Sequence, residues 1–256
     1  MLLAIDIGNT NVVLGVWDKR KWKMQWRLRT DRARTVDEYG ISLKTLLRES
    51  KMASSISRVV ISSVVPPLTA VFTSVVQKYL RLDPLHITSQ LDTGITIRTD
   101  NPSEVGADRI VNSVAAAHLF PGPSIVIDMG TATTFDIVSA NKELLGVVIA
   151  PGMRLAADAL TARAAQLSGV ALEAPPHAIG TNTIHAIQSG IVFGYTALVE
   201  GVVKRLLTEH PDRDQRVQII GTGGLVNLIH PHTNIIDHFD PALTLTGLRL
   251  VSERHQ

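Results

Sequence analysis

Residues 3–11 read Leu3-Ala4-Ile5-Asp6-Ile7-Gly8-Asn9-Thr10-Asn11, and an apolar run over residues 12–17 follows them. This pattern predicts a strand, a glycine-containing turn and a second strand. Glycine allows several backbone N–H groups to point at one anion, and Asn and Thr add side-chain donors. Asp6 repels a bare phosphate, but it becomes useful when a divalent cation lies between carboxylate and phosphate oxygens. The turn is therefore typical of a metal-nucleotide site, and the alternative is a type I′ hairpin closed by Gly8-Asn9.

The same order of residues recurs near the midpoint of the chain. The second copy reads Ser124-Ile125-Val126-Ile127-Asp128-Met129-Gly130-Thr131-Ala132-Thr133-Thr134-Phe135-Asp136-Ile137-Val138. A third glycine turn follows an apolar strand in Val217-Gln218-Ile219-Ile220-Gly221-Thr222-Gly223-Gly224-Leu225. Two Asp-x-Gly turns and a late Gly-Gly turn resemble the actin, Hsp70 and hexokinase superfamily. The resemblance implies an α/β protein with a duplicated ribonuclease-H-like (actin-like ATPase) fold, two mixed sheets flanked by helices. In that superfamily the first two turns hold phosphates and the third lies near adenosine.

Length and composition agree with two similar halves. The chain has 256 residues, an apolar fraction of 45% and a formal charge of +2, so it can bury a large core and gives no reason to expect nucleic-acid binding. It has no cysteine, which excludes disulfides and thiolate chemistry. We expect no signal peptide, because no basic region precedes Asp6. The charge-free run over residues 59–77 contains Pro66-Pro67, which predicts a strand and then a helix rather than a membrane span.

We expect residues 1–100 to form the first half and residues 101–256 the second, each with strands followed by alternating helices and strands. Strands are predicted over residues 21–28, 59–65, 84–88, 125–128, 133–138, 144–150 and 217–221, and around 235–236. Helices are predicted from Val36, near Pro67, from Asn101, after Gly152, after Asn182 and from Asp240-Pro241.

The segment between the halves, residues 99–112, combines a helix start with two charged residues. Asn101-Pro102-Ser103-Glu104 matches a capping box with proline at the first helical position. Gly106 would then lie inside the helix, where glycine costs about 1 kcal/mol relative to Ala, so we expect that the backbone has to stay uncovered there. Asp108 and Arg109 place a carboxylate and a guanidinium beside this gap, which suits a small substrate with its own carboxylate. The alternative is an exposed Asp-Arg pair on the first turn of a helix.

Five motifs follow one another along the chain, between Met1 and about Leu250. They are Asp6-x-Gly8-Asn9-Thr10-Asn11, Asn101-Pro102-x-Glu104-Val105-Gly106-Ala107-Asp108-Arg109, Asp128-x-Gly130-Thr131-Ala132-Thr133, Pro151-Gly152 and Gly223-Gly224-Leu225. As a set they resemble type III pantothenate kinase. The resemblance implies ATP-dependent phosphorylation of pantothenate to 4'-phosphopantothenate, the first step of coenzyme A biosynthesis. It also implies a cytoplasmic homodimer that uses Mg²⁺ with ATP and requires K⁺ or NH4⁺, with neither nucleic acid nor a membrane as partner.

The resemblance assigns roles to single residues. ATP would be bound by Asp6, Ile7, Gly8, Asn9, Thr10, Asn11, Val12, Val13 and Thr131. Pantothenate would be bound by Thr99, Gly106, Ala107, Asp108, Arg109 and Thr183. Asp108 would be the catalytic base, Asp128 a potassium ligand, and Asp6 a magnesium ligand through water. This chain has Thr99 where the family often has an aromatic residue.

The chain lacks a G-x-x-x-x-G-K-[ST] motif, so the phosphate charge must be met by backbone N–H groups and cations. In a loose phosphoryl-transfer transition state a carboxylate base mainly orients the hydroxyl and takes its proton, so Asp108 needs no raised pKa. Two other functions stay open. One is a non-catalytic regulatory accessory protein of the same fold, and the other is a different small-molecule kinase of the superfamily, acting on a sugar or acetate.

Two further patterns have a structural interpretation. The histidines His230, His232 and His238 have some likeness to a metal cluster but lack cysteine or carboxylates at zinc spacing, so we predict a solvated loop. The helix after Asn182 has glycines at positions 190, 194 and 201, which predict close helix packing within or between subunits. Its apolar stripe predicts a homodimer interface; it comprises Ile184, Ile187, Ile191, Tyr195, Leu198, Val202 and Leu206.

Overall fold

The computed structural model of the protein describes residues 1–163 and 170–256. Its strands are β1 (Leu2–Ile7), β2 (Asn11–Trp17), β3 (Trp22–Arg29), β4 (Arg58–Ser63), β5 (Leu85–His86), β6 (Thr96–Ile97), β7 (Ser124–Met129), β8 (Ala132–Val138), β9 (Glu143–Pro151), β10 (Gln218–Thr222) and β11 (His238–Phe239). Its α-helices are α1 (Val36–Glu49), α2 (Pro66–Val75), α3 (Ala107–Leu119), α4 (Met153–Arg163), α5 (Thr183–Glu209), α6 (Val226–Ile229) and α7 (Leu243–Arg254). The predicted α/β fold with two mixed sheets and flanking helices is confirmed.

The chain forms two units, Met1–Ala115 with Leu243–Gln256, and Ala116–Ala242. The C-terminal helix α7 therefore belongs to the first unit, whereas the sequence suggested halves at residues 1–100 and 101–256. The division of the chain into duplicated halves at residues 1–100 and 101–256 stays a prediction.

The first unit is built on a five-stranded sheet in the order β3-β2-β1-β4-β5. β1 pairs with β4 in parallel and with β2 antiparallel. Alternate residues of β1 point to opposite faces. Leu3, Ile5 and Ile7 pack with α1 and α2 on one face, and Leu2 and Ala4 pack with α3 and α7 on the other. The predicted first strand is therefore the central strand of a sheet that helices cover on both faces.

The helix predicted from Val36 is confirmed, and a capping box explains why it begins there. Thr35 is the N-cap residue, and its side chain accepts a hydrogen bond from the N–H of Glu38. The Glu38 carboxylate accepts one in return from the Thr35 N–H at 2.7 Å. This capping box satisfies two of the four N–H groups that a helix start leaves without partners.

The second unit repeats the arrangement with strands in the order β11-β10-β7-β8-β9. β7 is antiparallel to β8 and parallel to β10. One face of this sheet packs against α4 and α5 in a core that includes Ile127, Phe135 and Val199. The same strand order around the central pair gives both units a strand-turn-strand hairpin beside a parallel neighbour.

The helix predicted from Asn101 is wrong in its start. Residues Pro102–Glu104 form a single 3-10 turn, the Asn101 side chain makes no capping hydrogen bond, and Val105 is extended. The α-helix begins only at Ala107. Proline at position 102 suits a 3-10 turn as well as an α-helix, so the sequence pattern could not distinguish the two.

Two predictions near the C-terminus are displaced. The strand expected around residues 235–236 lies at His238–Phe239, and the helix expected from Asp240-Pro241 begins at Leu243. The Asp240 carboxylate accepts a hydrogen bond from the Ala242 N–H at 2.8 Å. Asp240 therefore makes a side-chain turn instead of a helix cap.

The long helix α5 is the one helix, among the described residues, that is long and apolar enough to cross a membrane. Most of the stripe predicted to face a partner subunit packs instead into the core of its own unit. Ile191 and Tyr195 are buried there, and Ile187, Leu198, Val202 and Leu206 lie against the same core. Ile184 alone of that stripe is well exposed, at 56%. The argument for an interface from the width of this stripe is therefore wrong.

Candidate active site

The first turn is a hairpin but not of type I′. The Gly8 N–H donates to the Asn11 carbonyl at 2.9 Å. A type I′ turn needs positive φ at both central residues, and neither Gly8 nor Asn9 has positive φ. A Cβ at Gly8 would lie 3.2 Å from the Asn11 oxygen, so glycine serves here to allow a close backbone approach. Without a side chain at Gly8, a phosphate could also approach the backbone of the turn closely.

The segment after β3 braces this turn. The Thr30 hydroxyl donates to the Gly8 carbonyl at 2.7 Å, and the Thr30 N–H donates to the Thr10 carbonyl at 3.0 Å. Next to it, the Arg32 guanidinium donates to the Asn9 side-chain oxygen at 3.0 Å. These bonds hold two carbonyl oxygens of the turn and the Asn9 side chain in place, so they fix the conformation of the turn.

Asp6 lies in a row of paired residues that crosses the first sheet. It pairs with Val13 of β2 and with Ser62 of β4, and Val13 pairs with Arg27 of β3. Directly paired residues point to the same face of a sheet, and here that face is the one covered by α3 and α7. Ser62 is fully buried, and its hydroxyl has no hydrogen-bond partner in the part of the chain that the structure describes. Polar side chains therefore gather on this face where β1 and β4 end.

Gly106 lies directly before α3, whereas the sequence analysis placed it inside the helix. The Gly106 carbonyl accepts from the N–H groups of Arg109 at 3.1 Å and Ile110 at 3.3 Å, so Gly106 is the residue before the helix and not inside it. A Cβ on Gly106 would lie 2.5 Å from the Asp108 Oδ1 atom. Glycine at this position therefore makes room for the Asp108 carboxylate.

The same contacts place Asp108 near the first turn. A Cβ on Gly106 would also lie 3.2 Å from Val64, and the Val64 N–H donates to the Ile7 carbonyl at 3.1 Å. Ile7 is the residue before Gly8. Asp108 thus lies at the carboxyl ends of the parallel strands β1 and β4, where α/β proteins bind their ligands.

Burial raises the pKa of Asp108 above its ordinary value, although the charge of Arg109 and the N–H groups of Arg109 and Asp108 act in the opposite direction. The Arg109 N–H donates to the Asp108 Oδ1 atom at 2.9 Å. A raised pKa makes the carboxylate a better proton acceptor. The sequence argument required no such shift, so this property of the site was found only in the structure.

The second turn, in the second unit, is one residue shorter than the first. Ile7 pairs with Val12, which leaves residues 8–11 in the first turn, whereas Met129 pairs with Thr133 and leaves residues 130–132 in the second. The Gly130 N–H donates to the Ala132 carbonyl at 3.0 Å. Thr131 is exposed at the tip of this turn.

Two glycine motifs converge on the second turn. A Cβ on Gly152 would overlap the Thr131 carbonyl oxygen. Gly223 has φ +92°, and a Cβ there would lie 2.5 Å from the Asp128 Oδ1 atom. Only glycine fits both the positive φ and the close approach. Pro151-Gly152 and Gly223-Gly224, which the sequence singled out separately, therefore belong to one site around Asp128.

The donor set fits cations held by few protein ligands. Among the described residues no group of three His, Cys, Asp or Glu side chains could hold a metal ion. Mg²⁺ usually keeps several waters and is bound by one or two carboxylates together with substrate phosphates, which fits a single carboxylate such as Asp6. Potassium is held largely by carbonyl oxygens, which fits Asp128 in a turn with close backbone carbonyls.

The two threonines assigned to pantothenate lie in different units. Thr99 belongs to the first unit, and its hydroxyl is buried without a hydrogen-bond partner among the described residues. Thr183 is the exposed first residue of α5 in the second unit, next to Asn182, which caps the helix through the His185 N–H at 2.9 Å.

The histidines make packing contacts. His232 packs edge-on against Phe193, and His238 stacks on Phe120 with ring centroids 4.4 Å apart. His238 also hydrogen-bonds to the Gln218 side chain at 3.0 Å. His238 is half-buried, so the prediction of a solvated loop is wrong for this residue.

Sequence reasoning missed several residues of the first site. Arg27 and Arg29 lie on the face of β3 that continues the row of Asp6, and Thr30 braces the turn. The available signal was the alternation of β3, but it indicates a face only once the pairing with β2 is known.

The fold and these turns define a class of α/β protein, with two mixed sheets and a glycine turn after a central strand of each. Solved structures with this fold align with 99–100% of the chain. A conserved Campylobacter jejuni protein of the Baf family has a TM-score of 0.58, with 19% identity and 98% of that chain covered. Component A of (R)-2-hydroxyglutaryl-CoA dehydratase from Acidaminococcus fermentans has a TM-score of 0.54, with 13% identity and 99% covered. At these identities the likeness supports the fold alone.

Sequence comparison identifies the family. Residues 2–205 match the type III pantothenate kinase family. A type III pantothenate kinase of Moorella thermoacetica is 49% identical over 256 residues, which are 100% of both chains. The chain therefore belongs to the type III pantothenate kinase family. It is a pantothenate kinase of coenzyme A biosynthesis, as the motifs suggested. This family membership argues against the two alternatives, an accessory protein and a kinase for a sugar or acetate.

Proposed function

We propose that Asp108 accepts the proton of the pantothenate hydroxyl while the γ-phosphoryl group of ATP is transferred to that oxygen, giving 4'-phosphopantothenate. The observation that carries this proposal is the position of Asp108, a carboxylate of raised pKa at the strand ends beside the first turn. Its Oδ1 atom accepts the Arg109 N–H, and this bond fixes the orientation of the carboxylate. A base held in this way contributes typically ~10²–10⁴-fold to the rate.

The first turn is the proposed phosphate site. Residues Asp6 to Val13, comprising Asp6, Ile7, Gly8, Asn9, Thr10, Asn11, Val12 and Val13, would contact ATP through backbone N–H groups and the side chains of Asn and Thr. Mg²⁺ bound near Asp6 would neutralise part of the phosphate charge. Thr131 is the proposed ATP contact of the second turn. The chain itself supplies the rigid backbone, which Thr30 holds in place.

Pantothenate is proposed to lie against Gly106, Ala107, Asp108 and Arg109, with Thr99 nearby in the same unit. The planar guanidinium of Arg109 suits two parallel hydrogen bonds to the substrate carboxylate. The absence of a side chain at Gly106 leaves room for the Asp108 carboxylate at the helix start. Thr99 is smaller than an aromatic residue, so packing against the substrate would be looser at that position.

The monovalent cation is proposed to be K⁺ or NH4⁺, with Asp128 as a ligand. The closeness of Gly223 and the Asp128 carboxylate supports a compact site there. The positive charge would offset the carboxylate and the nucleotide phosphates.

A coupled assay of ADP release tests the substrate and the role of Arg109. Pantothenate, pantothenol, glucose and acetate are compared with the same enzyme. Pantothenate should be the substrate, and pantothenol should have a clearly raised KM, because it lacks the carboxylate that Arg109 would bind. Equal use of pantothenol and pantothenate would contradict the assignment of Arg109.

We propose a homodimer that uses the exposed face of α5. Gly190, Gly194 and Gly201 are exposed, and a Cβ on any of them would meet nothing within 4 Å among residues 1–163 and 170–256. Their prediction of close packing is therefore not met inside one chain, and a second helix could approach them closely. Thr183 at the start of the same helix would then reach pantothenate in the partner subunit.

Mixed dimers test this assembly. Asp108→Asn and Thr183→Ala chains, each impaired alone, should recover partial activity when co-expressed, because one of the two hybrid sites would carry neither change. The control is co-expression of each variant with itself. A monomer by light scattering at the working concentration, or no recovery, would contradict the dimer.

We also propose a cytoplasmic location, without nucleic acid or a membrane as partner. The absence of cysteine agrees with a reducing compartment. The core packing of α5 supports its interpretation as a helix of a globular protein.

A further inference from the structure

The face of β3 beside the first turn carries two arginines that the proposed ATP site does not yet use. Arg27 pairs with Val13, and Arg29 pairs with Asn11. Val13 in turn pairs with Asp6. Because paired residues share a face, both arginines project from the face that carries Asp6 and Asn11.

Both arginines are exposed, and neither guanidinium forms a hydrogen bond or ion pair with the described residues of the first unit. The arginines that follow them are engaged: Arg32 bonds to Asn9, and Arg34 bonds to Ser42 at 2.9 Å. Arg27 and Arg29 thus keep all of their side-chain donors available, on the strand next to the turn.

Two guanidinium groups at alternate positions of one strand are about 7 Å apart at their backbones, and they repel each other. The fold gains nothing from this arrangement, since no carboxylate of the unit pairs with either group. An anion that reaches both would turn the repulsion into attraction. The triphosphate of ATP at the Gly8 turn is such an anion, because Mg²⁺ leaves it with net negative charge.

We propose that Arg27 and Arg29 bind the phosphates of ATP and supply the positive charge that a P-loop lysine supplies in other nucleotide-binding proteins. Arg29, opposite Asn11, is the nearer to the turn and contacts the phosphates directly. Arg27, in the row of Asp6, lies one step further along the strand and contacts the same phosphate chain from the side. This inference rests on the proposed ATP site at residues 6–13.

Nucleotide-binding titrations test the proposal. Adenosine, Mg·ADP and Mg·ATP are titrated by calorimetry into the full chain, into Arg27→Gln, into Arg29→Gln and into the double variant. Each single variant should weaken Mg·ADP and Mg·ATP binding by about tenfold, the double variant should weaken it further, and adenosine binding should not change. The dependence of Mg·ATP affinity on salt should also become less steep.

The matched control is Lys23→Gln, which removes a positive charge at the other end of β3, where Lys23 pairs with Asp18 at 3.0 Å. Its affinity for Mg·ATP should stay within about twofold of the unmodified chain, because exposed charges far from a ligand are screened. A loss as large as that of Arg29→Gln would mean that net charge alone matters, and it would overturn the proposal.

A further variant, Asn11→Ala, separates this inference from the proposed site. If Asn11→Ala weakens Mg·ATP binding and the double arginine variant does not, the arginine proposal is wrong and the ATP site stands. If neither change affects Mg·ATP, the proposed ATP site itself is wrong, and the arginine proposal is wrong with it. A loss of adenosine affinity equal to that of Mg·ATP would also contradict phosphate binding.

Discussion

The two strand-turn-strand copies share a backbone pattern and differ in what surrounds them. β1 and β7 have the same order of buried residues, and each carries a half-buried Asp at its fifth position, Asp6 and Asp128. The first turn is longer and has Asp108 and two arginines near it. The second is shorter and has the backbones of Gly152 and Gly223 packed against it.

This difference shows how two copies of one strand-turn-strand motif can acquire different functions. A strand followed by a glycine turn gives both units a compact turn beside one carboxylate, which is the proposed phosphate or ion site of each unit. In the first unit, the helix that begins at Ala107 adds Asp108, the proposed base. In the second, two glycine segments pack closely against the turn and the Asp128 carboxylate. The following predictions test that division of roles.

The largest effect is expected for Asp108→Asn. The substitution keeps the shape and the bond from the Arg109 N–H but removes the proton acceptor, so kcat should fall by at least ~10²-fold. Steady-state kinetics measure kcat, and circular dichroism checks the fold. Asp100→Asn, at an exposed position of the same segment, is the control and should retain kcat. Near wild-type turnover in Asp108→Asn would remove the functional difference between the two units.

How much of this could be read from the sequence depends on the range of the interaction. The two Asp-x-Gly turns were predictable because strand alternation and glycine turns are local signals. The α1 start was predictable for the same reason, since Thr35 and Glu38 are three residues apart. The family resemblance then gave the reaction, which comparison with known proteins supports.

The remainder depended on contacts between distant segments. The role of Gly106 could not be predicted, since the 3-10 turn at Pro102 displaced the helix start, and the room that the glycine leaves for the Asp108 carboxylate and Val64 is seen only in the structure. The arginines of β3 were also missed, because strand pairing and not sequence spacing aligns them with Asp6. The approach of Gly223 to Asp128 joins residues almost one hundred positions apart.

Asp128→Asn should change the response to cations more than the chemical step. The unmodified enzyme should be severalfold more active in potassium than in sodium buffer, and the variant should lose most of this difference, because its amide attracts a cation less than a carboxylate does. Initial rates in matched potassium, ammonium and sodium buffers measure the effect. Asp6→Asn is the comparison, and it should lower activity in all three buffers alike. Equal rates of the unmodified enzyme in sodium and potassium would contradict a potassium site.

Replacing a glycine should lower the melting temperature more at the second turn than at the first. Gly223→Ala should lower the melting temperature by several degrees, since a non-glycine residue at positive φ costs about 1–2 kcal/mol and its Cβ would meet the Met129 backbone at 2.6 Å. Gly8→Ala should have a smaller effect, because φ is negative there and the closest contact is 3.2 Å. Calorimetric scans of both variants measure the difference. A larger loss for Gly8→Ala would contradict the tighter packing of the second turn.

The smallest effect concerns the stability cost of Asp108. Burial raises its pKa in the folded chain above the value of about 3.9 for an unfolded Asp. Between these two pKa values the folded chain binds more protons than the unfolded chain, so the contribution of Asp108 to the free energy of unfolding falls as pH rises through that window. At neutral pH the charged carboxylate therefore lowers stability, and Asp108→Asn should raise the melting temperature by a few degrees.

This gain should shrink as pH falls through that window, because below both pKa values Asp108 is protonated in both states and resembles the amide. Thermal scans from pH 4 to pH 8 measure it, and Asp100→Asn provides the control for the loss of one exposed negative charge. A melting temperature that rises equally at every pH would trace the gain to packing instead of charge. A fall at neutral pH would mean that the ionised carboxylate stabilises the first unit, and the proposed stability cost of Asp108 would then be wrong.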